Sequence, residues 1–71
     1  MNSPIVECYS GFSYPDRPAA VWWQGQRYEV QTIAARWRTP DGYGFRVITP
    51  NGQVFELFYN EREDAWSVAA V

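Results

Sequence analysis

Apolar and polar residues alternate along most of this chain, and the apolar positions are rich in β-branched and aromatic side chains. Alternation is the period of a strand, whose successive side chains point to opposite faces. No segment carries the i, i+3, i+4, i+7 stripe of an amphipathic helix, so the pattern predicts an all-β, antiparallel domain. Residues 20–30, AVWWQGQRYEV, read as a hairpin. A two-residue loop at Gly25-Gln26, with Gly first as a type II′ turn prefers, sets Trp23 opposite Tyr28 and Val21 opposite Val30. Trp22 and Glu29 then share the other face.

Two near-identical turns follow, Thr39-Pro40-Asp41-Gly42 and Thr49-Pro50-Asn51-Gly52. As three-residue loops they place Pro at i+1 of a type I turn and Gly in the left-handed position of a G1 bulge. Gly42 and Gly52 are therefore both expected at positive φ. Thr39 then faces Tyr43, and Thr49 faces Gln53. Trp37, Phe45 and Leu57 form one core row, Ala35, Val47 and Phe55 the next, and Tyr43 lies beside Tyr59. A two-residue Asn51-Gly52 loop would instead set Glu56 opposite Val47 in the core. A buried, unpaired carboxylate there costs several kcal/mol, on the order of the whole stability of a small domain.

Tyr28 and Val30 differ in parity from Ile33, Ala35 and Trp37, and a β-bulge near Gln31-Thr32 reconciles them while bending the strand. A long bent strand shared by two hairpins is how small barrels turn a corner. The expected architecture is five or six antiparallel strands in an SH3-like barrel or strongly curled sheet. Ile5 to Tyr9 supplies a first strand, and Trp66, Val68 and Ala70 a last one. The domain spans residues 1–71, with 1–18 as N-terminal strand and turn-rich linker and 19–71 as the meander. The linker aromatics, Phe12 and Tyr14, are expected over one barrel opening.

Composition narrows the chemistry. A chain of 71 residues, 46% hydrophobic and 18% aromatic, is globular and small; it buries only about 60% of its unfolded surface. Cys8 is the single cysteine and histidine is absent, so a Cys/His nucleophile pair and a zinc ligand set are both excluded. A lone thiol points to a reducing compartment. MNSPIVECYS has neither a basic n-region nor an apolar h-region, and no apolar run reaches the ~20 residues of a membrane span. The expectation is a cytoplasmic, non-enzymatic protein with no cofactor, metal or small-molecule substrate. Glu61, Glu63 and Asp64 lack the spacing of a calcium loop and read as a solvated turn. Trp23, Trp37 and Trp66 are expected in the core, leaving Trp22 outside.

Net charge is −2, which argues against generic affinity for phosphate backbones. All six basic residues are arginine, and between Arg17 and Arg46 five of them face only Glu29 and Asp41. The register above sets Arg36, Arg46 and Glu56 in one outward row, with Arg38 near Arg36 and Glu56 bridging to Arg46. With Trp22 as a stacking platform, Arg36, Arg38 and Arg46 form the candidate set for weak single-stranded nucleic-acid binding. A second outward row, Ala34, Ile48 and Val54, is apolar, and Phe58 points outward beside Gly44. An apolar group spanning three strands is either covered by the N-terminal segment or marks a contact surface for a homodimer or a partner protein.

Residues 8–68 also resemble a family of short bacterial proteins of unknown function. The shared pattern is a Tyr9-Ser10-Gly11-aromatic start, Arg17-Pro18, the Trp23-x-Gly25-x-x-Tyr28-x-Val30 hairpin and the Trp37-Arg38-x-Pro40-x-Gly42 turn. It closes with Phe55-x-Leu57-x-Tyr59 and Trp66. A similar Trp-x-Gly-x-x-Tyr-x-Val module is appended to inactive Y-family DNA polymerase homologues of bacterial mutagenesis cassettes. The resemblance implies a shared fold and, at most, an accessory role near DNA repair.

Overall fold

A computed structural model describes residues 6–8 and 17–71. The described residues form seven strands: β1 (Val6–Cys8), β2 (Pro18–Trp23), β3 (Gln26–Glu29), β4 (Thr32–Thr39), β5 (Gly42–Ile48), β6 (Val54–Asn60) and β7 (Ala65–Ala70). They assemble into two antiparallel sheets, β1-β2-β3 and β4-β5-β6-β7. Among the described residues the two ladders do not join into a closed barrel. The expected bent strand is present as β3 and β4, which belong to different sheets, and this raises the strand count to seven. The change of sheet takes one peptide step. Val30 donates its N–H to the Ala19 carbonyl of one sheet (2.9 Å), and Gln31 donates to the Ile48 carbonyl of the other (2.8 Å). Of the expected first strand, Ile5 and Tyr9 lie outside the described residues, as do Phe12 and Tyr14.

The core lies between the sheets. Val6 and Val21 face Phe45, Val47, Phe55 and Leu57, all buried. Phe55 joins the two layers, with its ring centroid 5.3 Å from Tyr28 and 5.9 Å from Trp23. At the far end Trp66 closes over Phe45 (6.0 Å) and Tyr59 (5.1 Å). Trp66, Val68 and Ala70 sit opposite Tyr59, Leu57 and Phe55, so the last strand is in its expected register.

The Thr49 turn has the expected form. Thr49 donates its N–H to Gln53 O (2.9 Å), Gly52 donates to Thr49 O (2.9 Å), and Gly52 has φ +86°. Val47 then faces Phe55, Arg46 faces Glu56, Phe45 faces Leu57 and Tyr43 faces Tyr59. The N-terminal hairpin keeps its expected faces, but its turn lies one residue earlier. Its loop is Gln24-Gly25, both at positive φ, and Trp23 faces Gln26 while Val21 faces Tyr28. A slip of two residues leaves every side chain on its original side.

The first Thr-Pro turn departs from expectation, and with it β4. Thr39 faces Gly42 across a two-residue Pro40-Asp41 loop, and Gly42 is not at positive φ. Gly42 serves a steric need instead. A Cβ there would overlap the Tyr59 carbonyl, because the 40–42 turn packs against the end of β6 and Asp41 O accepts the Glu61 N–H (2.8 Å). A one-residue change of register moves the β4 side chains from Ala35 to Thr39 to the opposite face. Arg36 therefore faces Phe45, Trp37 faces Gly44 and Ala35 faces Arg46. The bulge sits at Ala34, between Ile33 and Ala35, and not at Gln31-Thr32; it returns Ile33 to the core face opposite Val47. Trp37 and Ala35 are thus outside the core, and the row Arg36–Arg46–Glu56 does not exist.

Candidate functional site

Three surfaces carry the candidate residues. The first is the outer face of β4–β7. Gly44 has no side chain, so the Trp37 indole lies across it; a Cβ at Gly44 would collide with that ring. Trp37 thereby reaches Phe58 two strands away, edge to face, with centroids 6.0 Å apart and planes at 71°. Both rings are half-buried. The neighbouring row is Ala35, Arg46, Glu56 and Ala69, in which Arg46 Nη2 meets Glu56 Oε2 at 2.5 Å. Arg46 and Glu56 are the only charged side chains on this face of the four strands, and they neutralise each other. Half-buried Ile48 and Val54 lie beyond them, opposite one another, with Thr32 completing the row. Ala34, expected in that row, is the unpaired bulge residue. On β7 the face is lined by small residues, Ala65, Ser67 and Ala69.

The second surface is the opposite face of β4 and β5. Arg36 lies over Phe45, with its guanidinium carbon 5.6 Å from the ring centroid. Arg38 lies over Tyr43 at 4.7 Å and donates from Nη1 to the Tyr43 hydroxyl (3.1 Å). Two residues apart on one strand, the guanidinium stems emerge about 6.8 Å from each other. Arginine belongs here because its flat, weakly hydrated head stacks on aromatic faces and stays in water. At the other side of this face Tyr59 donates to Asp64 Oδ1 (2.5 Å). Phenolate beside that carboxylate would repel it, so the Tyr59 hydroxyl is pushed up to about 12 by the Asp64 hydrogen bond and then by lost hydration.

The third surface is the outer face of β1–β3. Glu7 takes two hydrogen bonds from Arg27, Nη2 to Oε1 (3.0 Å) and Nε to Oε2 (3.1 Å). The Trp22 indole Nε1 donates to the same carboxylate (2.9 Å). Arg27, and then Trp22, hold the Glu7 carboxyl below its usual range. Trp22 is exposed as expected, yet its polar edge is engaged.

The structure thus separates the residues that the sequence grouped. Arg36 and Arg38 remain together, Arg46 is on the reverse of the same sheet, and Trp22 is on the other sheet. Ile48 and Val54 remain adjacent, with the Arg46–Glu56 pair between them and Phe58. Sequence reading missed Trp37 as a surface residue and Arg27–Glu7 as a tie. Arg27 and Glu7 lie twenty residues apart and carry no local signal. Trp37 had one: a lone Gly, Gly44, inside a strand pattern, which marks a close approach.

Compared with known protein families, curated proteins and solved structures, the chain matches none. Among the described residues no helix is long and apolar enough to cross a membrane, and no three His, Cys, Asp or Glu side chains cluster as metal ligands.

Proposed function

We propose that this chain is a non-enzymatic interaction module that docks a partner protein on the outer face of its four-stranded sheet. The observation that carries this reading is the Trp37–Gly44–Phe58 assembly, an aromatic pair beside a self-neutralised ion pair. Aromatic anchors bordered by small side chains, with no net charge to desolvate, are what the centre of a protein interface needs. The roll of the two sheets about the Val30–Gln31 corner supports an SH3-like arrangement. The lone Cys8 supports a reducing, intracellular setting. The test is affinity capture from cells of the source organism. A specific protein retained by the wild-type chain should be lost with Phe58→Lys and kept with Glu63→Lys on the acidic turn. Equal retention by the Phe58 variant overturns the reading.

A second reading rests on Arg36 and Arg38, which present two cations along one strand over aromatic rings. This geometry favours contacts to successive phosphates of a single strand, with salt-dependent affinity. The resemblance to modules on polymerase homologues makes an oligonucleotide the natural probe. A labelled single strand titrated at low salt should bind, and Arg36→Ala with Arg38→Ala should weaken it by at least tenfold. Arg46→Ala and Trp22→Phe should change it little, being on other surfaces. Binding that ignores the Arg36/Arg38 pair, or follows Arg46, removes this reading.

A further inference from the structure

The ends of the two sheets differ in chemistry. Among the described residues the edge strands are β1 and β3 of one sheet and β4 and β7 of the other. Charged side chains guard three of them: Glu7 on β1, Arg27 and Glu29 on β3, Arg36 and Arg38 on β4. β7, Ala-Trp-Ser-Val-Ala-Ala, has neither a charge nor a proline. Soluble proteins blunt unpaired edges with those residues, so an unguarded edge six residues long is a site for strand addition.

The hydrogen-bond phase fixes which groups the edge offers. Val71 donates to Val54 O (3.0 Å), and hydrogen-bonded pairs alternate along an antiparallel ladder. Ala65, Ser67 and Ala69 therefore bond to β6, while the N–H and C=O groups of Trp66, Val68 and Ala70 point away from it. These three residues are symmetric about Val68.

We propose that β7 is a self-association edge, at which two copies of this chain pair their β7 strands antiparallel about a twofold axis at Val68. Trp66 then bonds the partner's Ala70, Val68 bonds its own counterpart, and all three outward residues are used in both copies. On the inner face the half-buried Trp66 indole meets the small Ala70 of the other copy. On the outer face Ser67 meets Ala69, so no side chains clash. The same twofold pairing at β4 would bring its Arg36 and Arg38 guanidinium groups together, which disfavours that edge. Two four-stranded sheets become one continuous sheet, with an isologous contact of the kind that closes as a dimer.

The test combines mass measurement by light scattering with amide exchange. The wild-type chain should move from 8.3 kDa towards twice that mass as concentration rises. The amides of Trp66, Val68 and Ala70 should gain protection over the same range, while those of Ser67 and Ala69 stay constant. Ser67→Lys with Ala69→Lys opposes like charges across the joint at exposed positions and should leave a folded monomer. Ser67→Lys with Ala69→Glu opposes unlike charges in this register and should keep the dimer. Phe58→Lys, which tests the docking face, should leave the dimer intact. A chain that stays at 8.3 kDa throughout overturns the proposal. So does a dimer that survives the double lysine variant, or one lost with Phe58→Lys.

Discussion

Glycine has three separate uses in this molecule, and substitution tells them apart. At Gly52, φ of +86° puts the backbone where L side chains are strained, but a Cβ would meet open space. Asn tolerates that region, so Gly52→Asn should cost less than about 1 kcal/mol. At Gly42 the obstacle is backbone, the Tyr59 carbonyl, which cannot move without breaking the β5–β6 ladder. Gly42→Ala should cost about 3 kcal/mol, the upper range for an overpacked site. At Gly44 the obstacle is the Trp37 ring, which can swing into solvent. Gly44→Ala should cost roughly 1–2 kcal/mol and red-shift tryptophan emission as the indole is released. Urea titration of the three variants checks the order. The two Thr-Pro-x-Gly turns look alike in sequence because these needs select the same residue. Only the packing of the 40–42 turn on Asn60–Glu61 shows which need applies, and that contact is invisible in a local reading.

Among the strands, legibility followed the turns. β5, β6 and β7 are in the register that alternation implies, because Thr49-Pro50-Asn51-Gly52 fixes β5 on β6 and the Trp66, Val68, Ala70 spacing fixes β7. β4 departs by one residue of loop length, which sets Trp37, Arg36 and Arg38 on the faces opposite to those that alternation implies. β1 is held differently. With three residues it makes few ladder bonds, and Glu7 ties it across β2 to Arg27 on β3. The Glu7 carboxyl is lowered chiefly by Arg27, so its protonation in the folded state lags behind that in the unfolded chain. Its contribution is complete above the usual carboxylate range and disappears as pH falls through the depressed folded value. Glu7→Gln should flatten this acid limb of the stability profile, leave stability above neutral pH as the reference for its fixed cost, and raise amide exchange in β1. An unchanged acid limb would show that the tie contributes nothing. The effect is modest, because the pair is solvent-exposed and screened by salt.

For the whole molecule, Phe55 decides whether two thin sheets behave as one body. Its ring touches Trp23 and Tyr28 of the three-stranded sheet from within the four-stranded one. Phe55→Ala should cost about 3–5 kcal/mol, close to the entire stability of so small a domain. The variant should be largely unfolded by circular dichroism at ordinary temperature. Phe58→Ala, on the outer face of the same strand, should cost about 1 kcal/mol and stay folded. The all-β class and the part of this core on β5, β6 and β7 were legible because alternation and bulky apolar residues encode burial directly, whereas the bulge at Ala34 and the outward turn of Ala35 and Trp37 were not. The candidate surfaces were less so, since a surface depends on which rows adjoin, and one register step reshuffles the rows.

The Pro40-Asp41 turn has a consequence for how such a chain could change. β4 carries aromatic chemistry on one side and cationic chemistry on the other, and the loop length selects which is shown beside Phe58. Drawing Gly42 into that loop, so that Thr39 pairs with Tyr43 in place of Gly42, would rotate the strand's offering, turning Trp37 inward and bringing Arg36 and Arg38 out next to Arg46. A docking patch for proteins and a basic patch for polyanions are therefore separated by a single step of strand pairing, with no side chain exchanged.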